Sequence, residues 1–104
     1  AGESAEARDC FVQALALNAL FADAHYQLVA LKKNNPALAL DLAALNARYA
    51  TPELAREYIK SADEFEKAGR PAEAAVALEQ AHALLPDDGD IALRLGRALY
   101  AAEH

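Results

Sequence analysis

A chain of 104 residues is enough for one domain with a modest core. Its apolar fraction of 55% leans on alanine, and Met and Trp are absent while Gly and Pro are sparse. That balance favours long helices over a turn-rich β fold. The formal net charge of −6 argues against nucleic acid or an anionic membrane surface as partner, because phosphate binding needs clustered Lys and Arg.

The start, Ala1-Gly2-Glu3-Ser4, lacks the basic region of a signal peptide. The first residue is not Met, which fits a processed or excised piece of something longer. Ser4 reads as an N-cap, and Ala5 to Leu17 follows as a helix with Ala7, Phe11, Ala14 and Leu15 on one face. Cys10 reads as a small buried residue of that helix. A single cysteine forms no intramolecular disulfide and no thiol-based zinc site, and it suits cytoplasm and periplasm alike. The uncharged run from Cys10 to Ala22 is interrupted by Gln13 and Asn18 and is too short to span a membrane, which takes about 20 apolar residues. No membrane insertion is expected.

Asn18 to Leu20 reads as a connection, and Asp23 stands near the start of the next helix, where a carboxylate suits the dipole. That helix carries Tyr26, Leu28, Val29 and Leu31 and closes on Lys32 and Lys33. Asn34-Asn35-Pro36 is a break, with Asn35 as N-cap and Pro36 first in a third helix that runs to Tyr49. This helix is apolar on two faces, Leu38, Leu42 and Leu45 on one and Leu40, Ala43, Ala44 and Ala47 on the other, so it reads as sandwiched.

Thr51-Pro52 opens the best-formed stretch, a helix through Ala68, a break at Gly69-Arg70-Pro71 and a helix from Ala72 to Leu85 stopped by Pro86. Pro86-Asp87-Asp88-Gly89-Asp90 is a turn rich in N-cap residues, and a sixth helix runs from Asp90 to the end. Its apolar residues Ile91, Leu93, Leu95, Leu99 and Tyr100 do not share one face, so part of them stays exposed unless a further helix or a second copy covers it.

An internal repeat is the strongest signal in the chain. Pro52 and Pro86 are 34 residues apart, as are Ala47 and Ala81, Ala62 and Gly96, and Phe65 and Leu99. A helical hairpin at this period cannot bury its apolar face alone, so neighbours stack. The expected fold is all-α: a right-handed superhelix of antiparallel helix hairpins, about six helices in one domain over residues 1–104. It divides into the second helix of a partial repeat at 4–19, a repeat at 22–54, a repeat at 55–88 and the first helix of a partial repeat at 89–104.

The period and its residues resemble the tetratricopeptide repeat. With Ala55 as first position, Tyr58, Ala62, Phe65, Ala74, Leu78, Ala81 and Pro86 fall in order on that family's pattern of large, small and terminating residues. The repeat at 22–54 follows less closely: Lys32 stands where the family has an aromatic and Leu40 where it has Ala, so packing there is expected to deviate. The resemblance implies a protein-binding scaffold rather than an enzyme.

The remaining chemistry is thin. His25, His82 and His104 have no metal-ligand spacing, and no Gly-rich phosphate loop or nucleophile elbow occurs, so neither cofactor nor catalytic residue is expected. In arrays of this family the first helix of each repeat lines a concave face. Carried onto this sequence, that face takes Asp23, Tyr26, Gln27, Ala30 and Lys33, then Arg56, Ile59, Lys60, Asp63 and Glu66, then Asp90, Leu93, Arg94, Arg97 and Tyr100. Five of the ten basic residues, Lys33, Arg56, Lys60, Arg94 and Arg97, lie on this register. One reading is a groove for a protein or peptide partner rich in carboxylates, with Tyr26 and Tyr100 as anchors. The other is a row of solvated charges paired with Asp63, Glu66 and Asp90 on a structural or self-associating segment, a homo-oligomer through the terminal helix.

Overall fold

The computed structural model describes residues 2–104, which fold into six α-helices. The helices fall into two compact units, Ala1–Ala50 and Thr51–His104.

The first unit holds α1 (Gly2–Leu17), α2 (Ala22–Asn34) and α3 (Leu42–Tyr49). Its core is Leu15, Ala24, Leu28, Leu45 and Tyr49, with Phe11, Ala14, Leu40 and Leu42 packed against it. The α1 stripe therefore faces inward as its spacing predicts. Two details of α1 differ from the sequence reading. Ser4 lies inside the helix, and its hydroxyl donates to Asn35 Oδ1 at 3.4 Å. Cys10 is exposed, because the inward face is taken by Phe11, Ala14 and Leu15. An alanine-rich helix has no strong polar face to set its rotation, so neighbouring residues compete for the inside.

The third helix departs further. It begins at Leu42, six residues later than Pro36, and its cap is Asp41, whose Oδ1 accepts from the Ala44 N–H at 3.1 Å. Asn35 instead ends α2. Its backbone N–H and its Nδ2 both donate to the Leu31 carbonyl, at 2.9 and 3.0 Å. The carbonyls that a helix from Pro36 would spend on its own backbone go elsewhere. Lys32 Nζ donates to Pro36 O at 2.8 Å and to Leu38 O at 2.7 Å, and Arg8 donates to Ala39 O at 2.9 Å. Lys32, the residue that breaks the repeat pattern, thus organises the loop that delays α3. The helix is not sandwiched: Leu45 and Tyr49 are buried, while Ala43, Ala44 and Ala47 are exposed.

The second unit holds α4 (Pro52–Lys67), α5 (Pro71–Leu84) and α6 (Gly89–Glu103). Its boundaries follow the local signals closely. Thr51 Oγ1 accepts from the Leu54 N–H at 3.1 Å, and Pro52 takes the first helical position, where its missing N–H costs nothing. Gly69 closes α4 at φ +72°, the left-handed conformation that glycine enters without penalty. The Arg70 N–H then reaches back to Phe65 O at 2.9 Å. Asp88 caps α6, its Oδ1 accepting from the N–H groups of Asp90 and Ile91 at 3.0 and 3.2 Å.

The core of this unit is built largely from alanine: Ala62 of α4, Ala74, Ala75, Ala77 and Leu78 of α5, and Ala98 of α6, with Phe65 and Leu95 packed against them. Small side chains let the helices approach closely, and the few large ones fill the gaps. Burying Leu78 completely contributes about 1.5–3 kcal/mol. The interlocking of α4, α5 and α6 fixes which residues α4 and α6 present beside one another.

Candidate interaction face

Tyr26, Gln27 and Lys33 lie on α2 in the first unit. Tyr26 is half-buried, and Gln27 and Lys33 are exposed. The other seven expected positions, Arg56, Ile59, Lys60, Asp63, Arg94, Arg97 and Tyr100, lie on α4 and α6 of the second unit.

Within the second unit the structure brings two of these together directly. Arg94 of α6 donates to Asp63 of α4 across 31 residues of sequence, and Glu66 stands 3.7 Å from the same guanidinium. One helical turn separates Asp63 from Glu66, so both carboxylates face α6 and Arg94 spans them. Arg94 is therefore spent on an internal ion pair, as the solvated-charge reading anticipates. Arg56 turns along its own helix to Glu53, at 3.9 Å. Lys60 and Arg97 are exposed and have no carboxylate partner among the described residues. Ile59 is half-buried beside Lys60. Leu93 and Tyr100 are 53% and 66% exposed, large apolar groups one helical turn to either side of Arg97 on α6. The Tyr100 ring meets His104 edge-on, with ring centroids 4.4 Å apart.

Below this face lies a cleft of about 390 Å³ lined by Glu66, Pro71, Arg94, Arg97, Ala98 and Ala101. Sequence reasoning located Glu66, Arg94 and Arg97 through the repeat register. It missed Pro71, Ala98 and Ala101, which carry no charge and enter only because the α4–α5 turn folds against α6.

The histidines carry no shared chemistry. His25 is buried and its Nε2 lies 2.8 Å from Asn46 Oδ1, a packing position on α2 secured by α3. His82 is half-buried on α5. Among the described residues no group of three or more His, Cys, Asp or Glu could hold a metal ion. No helix of the described residues is long and apolar enough to cross a membrane.

A family model described as tetratricopeptide repeat matches residues 65–104, a stretch that begins in the last turn of α4 and includes α5 and α6. No curated protein and no solved structure matches the chain. The helices α5 and α6 within that stretch are of the type a helical repeat requires. The chain therefore carries tetratricopeptide-repeat sequence over residues 65–104, folded as all-α helical hairpin structure.

Proposed function

We propose that the chain is a protein-interaction module and that the face shared by α4 and α6 takes a carboxylate-bearing peptide. The observation that carries this reading is Arg97, an exposed cation that lines the cleft and stands one helical turn from each of the exposed apolar side chains Leu93 and Tyr100 on α6, with the exposed Lys60 on α4. An extended acidic peptide would lay carboxylates on Lys60 and Arg97 and apolar side chains against Tyr100 and Leu93. Arg94 plays a different part: it holds α4 to α6 and keeps the face in register. The tetratricopeptide-repeat match over residues 65–104 supports a protein-interaction module in general.

The test uses a fluorescent glutamate-rich peptide and a lysine-rich peptide of equal length, titrated with the chain and read by anisotropy. Preferential binding of the acidic peptide, weakened more than about tenfold when Lys60→Glu and Arg97→Glu are combined, supports the proposal. Equal binding of both peptides, or no effect of the double substitution, overturns it.

A further inference from the structure

The segment 36–41 carries the means for two conformations. In the structure it is a loop that begins like a helix. The Leu38 N–H donates to Asn35 O at 2.9 Å, closing one turn where Asn35-Pro36 signals a helix start. The next helical bond is diverted. The Leu40 N–H donates to Leu38 O at 2.8 Å instead of reaching back to Pro36 O. Lys32 Nζ takes Pro36 O at 2.8 Å and Leu38 O at 2.7 Å, and Arg8 takes Ala39 O at 2.9 Å. These carbonyls are the acceptors that Leu40, Leu42 and Ala43 would use in a helix continuous with α3.

Apolar burial does not choose between the two conformations. The loop packs Leu40 and Leu42 against the core of the first unit. In a helix from Pro36, the residues Leu38, Leu42, Leu45 and Tyr49 share one face, the face that Leu45 and Tyr49 already bury, and Leu40 turns away from it. One leucine replaces another. Ala37, Leu38, Ala39 and Leu40 are all strong helix formers. Extension loses the Asp41 cap on Ala44 and gains Asn35 as the new one. A cleft of about 250 Å³, lined by Ser4, Asn35, Pro36, Ala37 and Leu38, leaves room for the segment to turn. What separates the two states is the bonding of Lys32 and Arg8, which is charge-assisted and so stronger than bonding between neutral groups.

We propose that Lys32 is a conformational latch. While its ammonium holds Pro36 O and Leu38 O, the segment stays a loop; without that donor, the segment joins α3 as one helix from Pro36 to Tyr49. Release changes what the first unit presents to solvent, because Lys32 loses both acceptors and Leu40 leaves the core. All of these groups belong to the first unit and none to the α4–α6 face, so the latch is tested independently of the peptide reading.

Cα chemical shifts of the intact chain read the two states directly. The unaltered chain should show non-helical shifts over residues 37–41. Lys32→Met keeps the apolar stem and removes the donor. It should bring helical shifts there and slow amide exchange at Leu40 and Leu42 at least about tenfold. The leucines give a second readout. In the unaltered chain Leu40→Ala should lower the urea midpoint more than Leu38→Ala does, and on the Lys32→Met background the order should reverse. Loop shifts retained in Lys32→Met overturn the proposal, as does an unchanged leucine order or a helix over 37–41 already present in the unaltered chain. If Lys32→Met fails to fold, relaxation dispersion on the unaltered chain decides. Exchange over residues 37–41 with a minor state of helical shifts supports the latch, and its absence overturns it.

Discussion

Arg94 of α6 donates to Asp63 of α4, 31 residues earlier, while Glu66 stands 3.7 Å from the same group, so one cation ties the two helices. The Arg94 side chain is 29% exposed and that of Asp63 is 50% exposed, which places the pair at the surface, where water screens it. Arg94→Ala should therefore cost only about 0.5–1 kcal/mol. A double-mutant cycle with Asp63→Ala, read by urea denaturation at low and high salt, checks this. The coupling should shrink as salt rises. A coupling that salt leaves unchanged would contradict the surface assignment.

Two glycines should respond to alanine with opposite signs. Gly69 closes α4 at φ +72°, where a Cβ is strained whatever the surrounding space, and Gly69→Ala should cost about 1 kcal/mol. Gly96 lies inside α6 with open space around it, and Gly96→Ala should raise stability by about 0.5–1 kcal/mol. Thermal unfolding of both variants followed by circular dichroism decides the matter.

The start of α3 depends on Asp41 rather than Asn35. Asp41→Ala removes the acceptor of the Ala44 N–H and should cost about 1 kcal/mol, with faster hydrogen exchange at the first amides of α3. Asn35→Ala should leave those amides unchanged, because its side chain serves the Leu31 carbonyl at the end of α2. Equal acceleration in both variants would restore the longer helix.

Asn46 holds the ring of a histidine that is 2% exposed, with Oδ1 2.8 Å from His25 Nε2. Asn46→Ala strips a buried polar atom of that partner and should cost about 1–3 kcal/mol. Asn46→Gln, which keeps an amide oxygen within reach, should recover part of the loss in the same denaturation assay. If Asn46→Ala is neutral, the contact does not matter to the fold.

What could be read from residue order alone was local. Thr51-Pro52, Gly69 and Asp88 set the ends of α4 and α6 because caps act within a few residues, through groups already adjacent in the chain. The 34-residue recurrence of Pro, Ala and large apolar positions was enough to give helical hairpins and their order. Other features waited on the tertiary structure. Asn35-Pro36 carries a good capping signal, yet Lys32 and Arg8 claim the loop carbonyls at 36, 38 and 39, and the helix starts at Leu42. Cys10 is exposed because the polar residues of α1 do not gather on one face, so packing rather than pattern chose its inner face. The register placed Arg94, Asp63 and Arg97 on one face, but only the approach of α6 to α4 decided which cation is neutralised and which stands free. A charge pattern names the candidates; distance between helices, which the order of residues does not contain, settles their pairing.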